Sequence, residues 1–60
     1  MHNVTIKREG LTNITIPCKD AYEVKCLVNA FDPIKELTVV KVTTYNKGGY
    51  EVEVTNTFNV

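Results

Sequence analysis

A chain of 60 residues that balances seven basic against seven acidic side chains lacks the basic excess that supplies affinity for nucleic acid or for an anionic membrane surface. A hydrophobic fraction of 43% belongs to a folded protein and not to a disordered tail. The length allows one small domain, 1–60, close to the lower limit for folding alone, where dimerisation is a common remedy.

The first segment, Asn3 to Ile16, alternates apolar and polar residues around a turn and reads as a hairpin over 3–16. Val4 and Ile6 share one face, as do Ile14 and Ile16, and a loop must keep those sets on the same side. A loop of Arg8, Glu9 and Gly10 does so and places glycine where a positive φ is wanted. This register pairs Val4 with Ile14, Thr5 with Asn13 and Asn3 with Thr15. The glycosylation-like triplets Asn3-Val-Thr5 and Asn13-Ile-Thr15 then become cross-strand Asn–Thr pairs, a structural role.

A helix is predicted over 20–31. Asp20 followed by Glu23 is a capping box, with both carboxylates at the positive end of the helix dipole. Pro33 ends the helix near Phe31 by restricting Asp32. Ala21, Val24, Leu27, Val28 and Phe31 follow the helical apolar spacing and form the core stripe. A second row, Tyr22, Cys26 and Ala30, lies on the helix back. It is either a solvated face with a few tolerated apolar groups or a contact surface for a protein partner or a second copy.

After a short turn that tucks Ile34 under the helix end, a second hairpin is predicted over 37–55. A loop of Asn46, Lys47 and Gly48 puts Gly48 in the left-handed position and pairs Val42 with Val52, Val40 with Val54, Lys41 with Glu53 and Thr43 with Glu51. The tail from Asn56 to Val60 either extends the last strand or frays. The expected architecture is α+β, a ββαββ chain folded as a four-stranded, mainly antiparallel sheet with one helix on one face. Its core is expected to hold Val4, Ile6, Ile14, Ile16, Val40, Val42, Val52 and Val54 beneath the helix stripe.

Chemistry is sparse. His2 is the lone histidine, at the N-terminus, and reads as a solvated terminal residue. Glu51 and Glu53 have the spacing of a wet strand face, opposite Thr43 and Lys41, which favours pairing over catalysis. Gly48-Gly49 belongs to a hairpin turn and not to a phosphate loop, since no helix follows it. Cys18 and Cys26 would stand about 12 Å apart by helical rise, beyond the ~7 Å that a disulfide spans, so two free thiols are expected. Of the two, Cys18 is the better placed to be reactive if it sits at the helix N-terminus. No catalytic residue, metal site or cofactor is expected, because His2 is the only further soft ligand.

The sheet face away from the helix is the other candidate surface, carrying Lys7, Leu11, Val39, Lys41 and Tyr45. Lysines interleaved with an aromatic ring suit a nucleic-acid strand, but zero net charge and the neighbouring glutamates count against it. No signal peptide and no apolar run of the ~18 residues of a membrane span is present, so a cytoplasmic protein without a membrane partner is expected. The leading expectation is a small non-enzymatic protein-binding module or regulator. It would be a phage or bacterial accessory protein, judged by its Asn, Lys, Ile and Thr richness, that modulates a larger protein partner and forms a homodimer. The alternative is a small nucleic-acid-binding regulator using the open face of the sheet.

Overall fold

In the computed structural model, which describes residues 1–58, the chain runs β1 (His2–Arg8), β2 (Ile14–Cys18), α1 (Ala21–Phe31), β3 (Leu37–Tyr45), β4 (Glu51–Glu53) and a closing 3-10 helix (Thr55–Phe58). The sheet order is β2-β1-β3-β4, with every neighbouring pair antiparallel. This is the expected α+β, ββαββ architecture, with the N-terminal strand in the interior and β2 and β4 at the edges.

The helix follows its signals. Asp20 is the N-cap, its Oδ1 accepting from the Glu23 N–H at 3.0 Å. The Glu23 carboxylate reaches back to the N–H of Lys19, one residue before the usual capping-box partner. At the other end the stop falls where expected but not by restriction of Asp32, which stays in the right-handed region and donates to the Val28 carbonyl at 3.0 Å. Pro33 then has no N–H with which to continue the ladder.

Both hairpins keep the expected faces beside their turns but slide along their partners. In the first, Val4 lies opposite Ile16, Ile6 opposite Ile14, Thr5 opposite Thr15 and Asn3 opposite Pro17. The Asn–Thr pairs are therefore not formed. Gly10 does take a positive φ of 74°, but as the third residue of a turn closed by the Leu11 N–H on the Arg8 carbonyl. Arg8 extends the pairing by donating from Nε to the Thr12 carbonyl at 2.9 Å.

In the second hairpin the loop is Lys47, Gly48 and Gly49, and Gly49, not Gly48, has the positive φ, 83°. Asn46 decides this. Its Oδ1 accepts from Gly48 N and Tyr50 N at 2.9 and 3.1 Å, and its backbone N–H donates to the Tyr50 carbonyl at 2.9 Å. An Asn opening a turn in this way fixes where the turn begins. Thr43 then pairs with Glu53, Thr44 with Val52 and Tyr45 with Glu51. Of the expected contacts only Thr43 with Glu51 survives, as a diagonal hydrogen bond of 3.2 Å from the Thr43 hydroxyl. An added Cβ at Gly49 meets nothing within 4 Å, so Gly49→Ala is expected to cost only the left-handed backbone term, about 1–2 kcal/mol. Urea denaturation of the variant checks this.

A bulge in β3 changes the core. Thr5 lies opposite Lys41 while Ile6 lies opposite Val39, leaving Val40 as the extra residue. The phase of the strand flips there. Leu37 and Val39 pack on the core and Val40 is 41% exposed, the reverse of the expectation for Val39 and Val40. Val4, Ile6, Val24 and Val42 are fully buried, with Ile14, Ile16, Leu27, Val28, Phe31 and Val54 packed around them. Ala21 and Val52, expected in the core, and Ile34, expected under the helix end, are exposed.

The C-terminal segment neither extends β4 nor frays over the described residues. After Glu53 the Val54 N–H makes one more ladder bond, to the Val42 carbonyl at 2.8 Å. The chain then turns, and the Thr55 hydroxyl accepts the Val42 N–H at 3.0 Å in place of the next backbone carbonyl. Phe58 closes over the sheet end, buried, with its ring edge-on to His2 at a centroid distance of 6.0 Å. His2 is therefore a half-buried strand residue and not a solvated terminus, and its Nδ1 is buried without a hydrogen-bond partner among the described residues. Asn59 and Val60 of the predicted tail lie outside the described residues.

Candidate functional site

The row Tyr22, Cys26 and Ala30 does come together, but it is not an isolated helix back. It forms one wall of an open groove of about 550 Å³, facing the edge strand β2. Leu27 and Glu23 complete the helical side, and Ile16, Pro17 and Cys18 form the strand side. The groove exists because β2 has a partner on one side only, and α1 returns along it after the short link at Lys19 and Asp20. Tyr22 stands at its rim, 74% exposed. The strand wall was missing from the sequence reading, although Pro17 carried the signal. A proline within a strand belongs on an edge, where its missing donor faces outward.

The thiols differ. Cys18 is buried at the end of β2, while Cys26 is exposed in the groove wall, and both are free. Burial pushes the Cys18 thiol above its ordinary range, and the carboxylates of Glu23 and Asp20 push it further in the same direction. The condition under which Cys18 was the better candidate for reactivity is not met, since the helix starts at Ala21 and its N-terminus is taken by those carboxylates. An aromatic disulfide reagent at neutral pH is accordingly expected to titrate Cys26 rapidly and Cys18 only with unfolding. Equal rates for Cys26→Ser and Cys18→Ser variants would contradict this.

The open sheet face holds Lys7, Lys41 and Tyr45 exposed, but spread along it: Lys7 lies opposite Thr38 towards one end, Lys41 opposite Thr5, and Tyr45 opposite Glu51 at the other end. Val39 is absent from it, turned into the core by the bulge, and Leu11 projects from the β1–β2 turn. Glu51 and Glu53 share the face: Glu51 lies opposite Tyr45, and Glu53 lies opposite Thr43. The face is therefore of mixed charge. Tyr45 is also engaged there, its hydroxyl accepting from Asn3 Nδ2 in a long contact of 3.5 Å.

Among the described residues no group of three His, Cys, Asp or Glu side chains is placed to hold a metal ion. No helix among them is long and apolar enough to cross a membrane. No protein-family model, curated protein or solved structure matches the chain.

Proposed function

We propose that the chain is a small, non-enzymatic, cytoplasmic protein-binding module of the bacterial or phage accessory kind, a regulator that modulates a larger protein. Its contact surface is the groove between α1 and β2, and its occupant is an apolar helical segment of that larger partner. The observation that carries this reading is the groove itself, whose lining by Tyr22, Cys26, Leu27, Ala30, Ile16 and Pro17 is mainly apolar, with Glu23 as its one charged member. An apolar trough beside a helix suits helix-in-groove recognition, in which a few buried side chains supply most of the affinity. The mixed-charge sheet face supports the nucleic-acid alternative less, because Glu51 and Glu53 stand beside Lys41 and Tyr45.

Photo-crosslinking separates these readings. With Tyr22→p-benzoylphenylalanine and, separately, Lys41→p-benzoylphenylalanine, irradiation in lysate of the source cells is expected to give one defined protein adduct from position 22. That adduct should fade when Ala30→Arg blocks the groove. No adduct from position 22, or nucleic-acid adducts from position 41, would overturn the proposal.

A further inference from the structure

The free edge of β2 has a definite hydrogen-bonding register, and it follows from contacts at the far side of the sheet. Val42 gives its N–H to Thr55 and its carbonyl accepts from Val54, so its backbone groups point away from β1. Its partner Val4 therefore turns its own backbone groups toward β2, where Ile16 lies opposite. Alternation along the strand then leaves the N–H and carbonyl of Thr15 and the carbonyl of Pro17 on the open edge, which no other strand among the described residues covers.

We infer that this edge pairs with the same edge of a second copy, antiparallel, about a two-fold axis at Thr15. The inference rests on the groove reading above, because the paired edges join both grooves into one trough floored by β2 strands and walled by both α1 helices. The register is selected by Pro17. Centred on Thr15, each Thr15 exchanges both backbone bonds with its symmetry mate, and each Asn13 donates to Pro17 of the second copy. Centred on Ile16, each Thr15 would instead face Pro17 of the second copy and donate to it with no bond in return, because proline has no donor.

The two ends of the edge are also complementary. The end at the helix start carries Lys19, Asp20 and Glu23 and is net acidic, whereas the turn end carries Lys7, Arg8 and Glu9 and is net basic. Antiparallel self-pairing sets the acidic end of one copy against the basic end of the other. It also brings the helix-start end, with Tyr22 exposed at 74%, beside the turn end, with Leu11 exposed at 65%. The opposite edge of the sheet is unsuited to this. It is the short β4, Glu51–Glu53, with a glutamate at each end. A β2 seam is small by the standard of specific interfaces, so association in the micromolar range of about 10–100 µM is expected.

Sedimentation equilibrium up to millimolar protein tests the pairing, with mass expected to rise from 6.8 kDa toward twice that value. Thr15 is exposed, so Thr15→Lys and Thr15→Glu should fold normally by circular dichroism. Each alone sets like charges across the axis and is expected to weaken association about fivefold or more. An equimolar mixture of the two variants should restore it. In the parent chain the Thr15 amide should gain protection from hydrogen exchange as concentration rises, a readout that needs no substitution. A monomer at all concentrations, a dimer indifferent to both Thr15 variants, or an unprotected Thr15 amide in the dimer would each overturn the proposal. If any of these occurs while position 22 still gives its protein adduct, the pairing falls and the groove reading stands. Pairing without such an adduct would have the opposite meaning.

Discussion

Replacing Ile6 by alanine is expected to leave the domain largely unfolded at 37 °C, whereas the same truncation at Val40 should leave its melting temperature within a few degrees of the parent. Ile6 is fully buried on the central strand β1, packed with Val4, Val24 and Val42. Truncating a side chain in such a place costs about 2–5 kcal/mol, from lost transfer energy and the cavity left behind. A domain of this size has a margin of only about 3–5 kcal/mol, so one substitution of this kind consumes most of it. Val40 is the extra residue of the bulge and already meets water, so Val40→Ala removes little burial and should fall within ~0.5 kcal/mol of the parent. Thermal melts by circular dichroism check both variants. A large loss at Val40 would mean that β3 alternates without interruption and that the bulge is wrong.

Thr55→Val is expected to lower stability by about 1–3 kcal/mol although it preserves size and shape. The Val42 N–H would then be buried with no acceptor, and leaving such a donor unsatisfied costs its full desolvation. Thr55 is buried, and its hydroxyl also donates to Glu53 Oε2 at 3.0 Å, so the substitution strips a short network. At about 4–8 °C per kcal/mol for a domain of this size, the shift is easily measured. Thr55→Ser keeps the hydroxyl and should stay close to the parent. Amide exchange at Val42 supplies a local readout, fast in Thr55→Val and slow in the other two proteins.

The helix bounds and most of its core stripe, Ala21 excepted, were legible because their signals are local. The cap at Asp20, the stop at Pro33 and the spacing of Val24, Leu27, Val28 and Phe31 all act within a few residues. The hairpins were legible only as to face. Alternation fixes which side Ile14 and Ile16 take, but a slide of an even number of residues leaves every side chain on its side. Pairing Val4 with Ile14 and pairing it with Ile16 therefore satisfy the same pattern. The tie is broken by turn chemistry, and in the second hairpin the informative residue was Asn46, whose side chain takes up the loop N–H groups. The β3 bulge has no such marker: Val39-Val40 reads equally well in either phase, and the choice depends on pairing with β1 some thirty residues away in the chain. Thr55 was likewise invisible, since its acceptor role exists only once the chain leaves the sheet. The helical wall of the groove was legible for the same local reasons. Tyr22, Cys26 and Ala30 share a helix wall by spacing alone. Their strand counterparts depended on knowing that β2 is an edge.

The contact between His2 and Phe58 has a topological corollary. It brings the beginning and end of the described chain together over one end of the sheet, and the Thr44 hydroxyl beside them donates to the Met1 carbonyl at 3.0 Å. A short flexible linker can therefore join the ends, and the exposed Lys47-Gly48-Gly49 turn offers a place to reopen the chain. In the rearranged order β3 would close the sequence and β4 would begin it, so their pairing would no longer be held by a covalent loop. The packing of the C-terminal turn against the first strand, now made between segments far apart in the chain, would then be made between neighbours.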